Sequence, residues 1–407
     1  MSTVTSKTLA AYNLAELKKR GLVENPDPSV RGLQDAVEAA ITRHTNLRGA
    51  EKVANQKAAA KKVAQYMGTL PNGQPKPLLN ENQKLQKANR GYNLDGQDTI
   101  QMPDGRGVET TSLALAPAYE EGKFNTCPNS PSCKKACLGD TSGNYHKLGG
   151  GKDHDVMLGP RLASYNRTQA FLRDPGSFAV RLHDEIAAKK AMAELNGNKL
   201  GVRLNVLSDI HPRVWKPIMD AHPDVQFYDY TKNNTKPIAE NHHLTYSSTG
   251  VSNPELGVDN QHQNWHSMRN KLETGRNVAM SFSHKAALPT HVHDEESGNT
   301  YTVLNGDLHD FRPIDGKDTN GKGFIVGLKN KKVDSTNEGA TKANPFFVHY
   351  DPKFKLEKVE GTSRTRQVRD ENGDAIPTNT VVRIAKQKPR NVFFNNDSQP
   401  VSAAHED

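Results

Sequence analysis

Apolar residues recur every three to four positions through the first seventy residues. The stretches beginning Leu9-Ala-Ala-Tyr-Asn-Leu and Gly32-Leu-Gln-Asp-Ala-Val have the spacing of amphipathic helices. From Ala50 to Met67 the chain is rich in alanine and lysine, with high helix propensity over a thin apolar stripe, the pattern of a loosely held helix. Residues 69–106 are dense in Gly, Pro, Asn and Gln and read as a linker or long surface loop.

Beyond about residue 108 short apolar runs alternate with helical patterns. Strands are expected at Thr110–Ala116, Val202–Leu207, Val225–Tyr230, Leu244–Ser248, Val278–Phe282, Tyr301–Leu304 and Phe324–Leu328. Helices are expected at Phe178–Leu195, Arg213–His222 and Trp265–Glu273. This alternation implies parallel strands with helical crossovers: an α/β fold, barrel-like in the complete or partial (βα) sense. Turn residues around Glu371-Asn-Gly-Asp predict a hairpin between Thr365–Arg369 and Thr380–Ile384, and the last ten residues read as frayed. Four segments result: a basic helical extension (1–70), a linker (71–107), the α/β core (108–350) and a C-terminal hairpin and tail (351–407).

Composition narrows the setting. Hydrophobic residues make up 34% of the 407, and mean hydropathy is −0.77. No apolar run is long enough to cross a bilayer, and the N-terminus lacks the hydrophobic segment of an export signal. The net charge is +8; the first hundred residues hold 15 Lys and Arg against 9 Asp and Glu. A basic segment of this kind meets nucleic acid through phosphates, or is simply a solvated helical face.

All three cysteines fall within eleven residues, Cys127, Cys133 and Cys137. An odd number of cysteines without an export signal argues against a disulfide framework and for a reducing cytoplasm. Thiols gathered this closely usually share a metal ion or a cluster; the plain alternative is a proline-rich loop whose thiols bind nothing. Lys134 and Lys135 beside them favour the thiolate that either would require.

Polar groups also gather where the expected strands end: Ser208-Asp209, then Asp229 with Thr231-Lys232, then Asn305-Gly306-Asp307-Leu308-His309-Asp310-Phe311-Arg312. Parallel sheets place functional groups at such ends. Asp209, Asp229, Asp307, His309 and Asp310 are candidate bases, nucleophiles or hydroxyl anchors. Lys232 and Arg312 are candidate clamps for an anion. The structural alternative is an ion-pair network closing the end of the sheet, for example Asp310 with Arg312. Phosphate-loop, dinucleotide-fold and serine-hydrolase motifs are absent, which makes those activities poor readings.

Four motifs occur in order: Phe124-Asn-Thr-Cys127-Pro with Cys133 and Cys137; Arg203-Leu-Asn-Val-Leu-Ser-Asp209; Phe227-Tyr-Asp-Tyr-Thr-Lys232; and Gly306-Asp-Leu-His-Asp310-Phe-Arg312 followed by Gly327-Leu-Lys329. Together they resemble the bacteriophage family called gene product 88, over roughly residues 75–335. The resemblance implies a phage or prophage gene product acting in the cytoplasm of the bacterial host, and it brings no reaction with it. The cysteine loop is also distantly similar to that of radical-SAM enzymes. It follows the first candidate strand, although its C-x5-C-x3-C spacing differs from their C-x3-C-x2-C. On that likeness the thiols would hold three irons of a [4Fe-4S] cluster, leaving the fourth for S-adenosylmethionine.

The leading expectation is a metalloenzyme of this kind acting on a nucleotide or nucleic acid. One alternative is a zinc-stapled, non-catalytic protein that binds nucleic acid or a host factor, with His146 or His154 as the fourth zinc ligand. Another keeps zinc for structure and places base-exchange or glycosyl transfer at an aspartate nucleophile.

Overall fold

The computed structural model describes residues 29–80, 100–118, 124–129, 133, 137, 159–284, 287–330, 344–350, 354–360, 365–369 and short stretches between 378 and 401. Its helices are α1 (Val30–Asn46), α2 (Gly49–Met67), α3 (Gly159–Arg173), α4 (Pro175–Leu195), α5 (Lys216–Asp220) and α6 (Trp265–Glu273). The principal strands are β1 (Leu79–Asn80), β2 (Val108–Leu113), β3 (Lys199–Arg203), β4 (Gln226–Thr231), β5 (His242–Ser247), β6 (Val278–Phe282), β7 (His291–Asp294), β8 (Thr300–Asn305), β9 (Ile325–Lys329), β10 (Leu356–Lys358), β11 (Thr365–Gln367) and β12 (Val381–Ile384).

Ten of these strands form one sheet in the order β1-β2-β3-β4-β5-β6-β9-β8-β7-β12. Neighbours run parallel except at β1/β2 and β7/β8. Helices fill the crossovers from β2 to β3, β3 to β4 and β5 to β6, so the protein is α/β with a large, mostly parallel sheet.

One core lies between helices and β2–β4. Leu200, Val202 and Phe227 meet Phe171, Phe178, Leu182 and Trp215 there. Sequence dictates the helix ends. Ser29 caps α1 by accepting the Gly32 N–H at 3.0 Å, and Asp174 caps α4 by accepting the Ser177 N–H at 3.0 Å. Leu33, Val37 and Ile41 on α1 join this core, as do Val63, Tyr66 and Met67 on α2. The thin stripe of α2 is therefore sufficient to seat it. A second core, around Trp265, Met268 and Leu272 of α6, lies against β5–β9.

Across the sheet from the first core, the segment 306–323 folds over β2–β4. Its Phe311 meets Tyr228 edge-on at 5.1 Å between ring centroids and packs with Val108. A Cβ at Gly201 would lie 2.8 Å from the Phe311 ring, so glycine is required for this approach.

Two expectations are corrected. The apolar run Val202–Leu207 does not continue as strand. β3 ends at Arg203, because the Asn205 side chain turns the backbone, accepting the Ile210 N–H at 3.2 Å and donating to the Ile210 carbonyl at 3.1 Å. The hairpin around Glu371 does not form between its two flanking strands: β11 pairs with β10, and β12 pairs in parallel with β7. The turn itself lies outside the described residues. Val382 and Ile384 explain the partner of β12, since beside β7 they are buried in the second core, whereas β11 is exposed along its length.

Candidate functional site

The cysteine loop is tied to the end of β3. Thr126 donates its hydroxyl to the Ala116 carbonyl at 2.7 Å and its N–H to the Ala118 carbonyl at 3.0 Å; its own carbonyl accepts the Asp209 N–H at 2.7 Å. Ala118 holds a left-handed conformation (φ 49°), costly for a residue with a Cβ. Cys127 is thereby set against the loop after β3, its Sγ donating to the Leu207 carbonyl at 3.4 Å. Burial, with Cys137, Asp209 and Cys133 nearby, pushes the Cys127 thiol up to about 12.

Asp209 links this loop to the end of β4. Its carboxylate accepts the Thr231 hydroxyl at 2.7 Å, the Lys232 N–H at 2.8 Å and the Asn233 amide at 3.1 Å. Burial raises its pKa and the neighbouring Lys232 charge opposes that rise. Asn233 also accepts from the Asn129 amide, two residues beyond Cys127.

The Lys232 side chain gathers the group together. Burial works against its charge, yet Cys133, Asp209, Cys127 and Cys137 around it outweigh burial and hold its pKa above the usual lysine value. The sulfurs do not close into one small cage. Among the described residues only His44, His183 and Asp184 bring three ligand atoms all within 4.8 Å of one another. Three thiolates on one zinc ion, with bonds of about 2.3 Å, would stand about 3.8 Å apart. Three thiols are the donor type that a zinc ion or an iron–sulfur cluster would take. His146 and His154 lie outside the described residues.

On the other face of β3 and β4 lies a buried polar layer. Arg203 donates to Asp310 at 2.5 Å, with its guanidinium 4.6 Å above the Tyr230 ring. Arg312, 2% exposed, meets Asp315 at 3.3 Å and donates to the His309 carbonyl at 2.6 Å. Among the described residues the Tyr228 and Tyr230 hydroxyls, the Nε atoms of Arg203 and Arg312, and Asp315 Oδ2 are buried without a hydrogen-bond partner. Asp229 accepts the Asn205 N–H at 2.7 Å, and burial raises its carboxyl to about 7.

The structure thus ties the Cys127 segment to Asp209 through Thr126, and Asp209 to Lys232 through its backbone, with Asp229 next to them through Asn205. Asp310, His309 and Arg312 belong to the polar layer, where Asp310 pairs with Arg203 and not with Arg312. Asp307 stands apart: its carboxylate accepts the Lys329 N–H at 2.9 Å and joins the ends of β8 and β9. Sequence reasoning missed the roles of Arg203 and Asp315.

A family model described as gene product 88 matches residues 77–344. Neither the curated proteins nor the solved structures contain a match to the chain. No helix among the described residues is long and apolar enough to cross a membrane.

Proposed function

The chain belongs to the gene product 88 family, and from that premise we propose that it is a bacteriophage metalloenzyme working in the host cytoplasm. Its three thiols would hold a [4Fe-4S] cluster at the strand ends of a barrel-like sheet. The observation that carries this reading is the tie of the Cys127 segment to the strand ends: the Thr126 carbonyl accepts the Asp209 N–H at 2.7 Å, and the Asp209 carboxylate accepts the Lys232 N–H at 2.8 Å. When bound, the cluster would supply an electron to S-adenosylmethionine and so start radical chemistry on the substrate.

The protein's own residues have separable tasks. Lys232 offsets the negative charge that three thiolates bring, which lowers the cost of their deprotonation on loading. Asp209 is a positioning residue, fixing the loop after β4 against the cysteine loop. Asp229, with a carboxyl near 7, can hold or release a proton at neutral pH. The polar layer would bind the substrate. Its two guanidiniums and two buried tyrosine hydroxyls suit the phosphate and base of a nucleotide or nucleic acid. The basic first hundred residues support a polyanionic substrate.

Anaerobic purification tests the reading. Brown protein absorbing near about 400 nm, with iron and acid-labile sulfide that vanish in Cys133→Ala, is expected. Colourless protein with stoichiometric zinc would replace it with a zinc-stapled protein.

A further inference from the structure

A second cluster of ligating side chains lies away from the strand ends, where the two leading helices meet the core. His44, fully buried, is near the end of α1; His183 and Asp184 are on α4. His44 Nε2 stands 3.0 Å, and His183 Nδ1 3.4 Å, from the same carboxylate oxygen of Asp184. All three ligand atoms lie within 4.8 Å of one another. Ligands bonded at about 2.1 Å to one ion stand about 3.0 Å apart in octahedral geometry and about 3.4 Å apart in tetrahedral geometry.

The surroundings suit coordination. Asn55 on α2 places its amide 3.0 Å from His44 Nδ1, and Gln56 donates to Asp184 Oδ1 at 3.0 Å. With its amide turned over, Asn55 would accept the Nδ1–H and leave the Nε2 lone pair for an ion. That is the outer contact that fixes the tautomer of a metal-bound histidine. The His222 ring lies 4.5 Å from that of His183, and its Nε2 is buried with no hydrogen-bond partner among the described residues.

We propose that His44, His183 and Asp184 bind a divalent transition-metal ion of the zinc or cobalt type, with His222 beside the His183 ring. The ion clasps α1 and α2 onto α4. Imidazole and carboxylate together suit such ions.

Cobalt titration of the full-length protein tests the site separately from the cysteine centre. In a Cys127→Ser/Cys133→Ser/Cys137→Ser variant, one equivalent of cobalt is expected to give visible bands without thiolate charge-transfer absorption. Asp184→Asn, which keeps the side chain's shape and an acceptor oxygen, is expected to weaken that binding at least about tenfold. It should also speed proteolysis between α2 and β1 in the presence of metal. Should the thiol-free variant not fold, the same bands are read in the wild type, where Asp184→Asn must remove them and leave any thiolate absorption intact. A folded thiol-free protein that binds no cobalt, or binding indifferent to Asp184→Asn, overturns the site and leaves the proposal for the cysteines standing.

Discussion

The Asp209 carboxylate accepts the backbone N–H of Lys232 at 2.8 Å, so the acid that follows one strand is fixed by the lysine that follows the next. Thr231 and Asn233 complete the grip on the same carboxylate. Asp209→Ala leaves the Thr231 hydroxyl and the Lys232 N–H without this acceptor in a buried loop, while the Asn233 amide keeps the Asp209 carbonyl at 3.3 Å. A loss of about 2–4 kcal/mol is expected in chemical denaturation. Asp209→Asn, which retains an acceptor oxygen, is expected to lose about half as much.

Arg203 and Asp310 form a nearly buried pair, their side chains 12% and 7% exposed. Asp310→Ala strands a guanidinium beneath the Tyr230 ring and is expected to cost about 3–5 kcal/mol. Arg203→Met together with Asp310→Leu removes both charges and is expected to cost much less than the sum of the single changes. A double-mutant cycle by denaturant titration reads the difference.

Asp229 gives the fold a pH dependence of known sign. Its carboxyl titrates at about 7 in the folded protein, against about 3.9 in an unfolded chain. The stabilising contribution of its proton is complete below about pH 4 and is lost as pH rises toward about 7, because the unfolded state ionises first. Asp229→Asn keeps the acceptor for the Asn205 N–H and removes that loss. Relative to the wild type, this variant should gain on the order of a few kcal/mol between pH 4 and pH 8. Urea titrations at the two pH values measure it, and an unchanged difference would refute the assignment.

Gly201 tests the packing of segment 306–323 over the sheet. A Cβ there would meet the Phe311 ring at 2.8 Å and Thr110 Cγ2 at 3.2 Å. Gly201→Ala is expected to lower stability by about 1–3 kcal/mol, and Gly201→Ala with Phe311→Leu to recover part of it.

Much of the sheet was legible because its apolar runs are short and its helices punctuate them. Val278–Phe282 was read at its true bounds, and Gln226–Thr231 within a residue. β7 escaped notice because its buried positions include a charge: Asp294 is fully buried, held by the Trp265 indole at 3.1 Å and by Arg269 at 3.3 Å. A partner so far along the chain leaves no local trace in His291–Asp294. Of the site, the acids and the lysine at strand ends could be read from position alone. The role of Arg203 could not, since it depends on Asp310, supplied by a segment that crosses the sheet. The cluster of His44 with His183 and Asp184 was invisible for the same reason, as 139 and 140 positions separate its members.

The central claim is that the three cysteines hold iron and sulfide beside Lys232. Iron and acid-labile sulfide measured on anaerobically purified wild type, beside Cys133→Ala, address it most directly. About four irons and four sulfides per chain in the wild type, lost in the variant, is the expected result. Wild-type protein that binds neither, even after reconstitution with ferrous iron and sulfide, would contradict it.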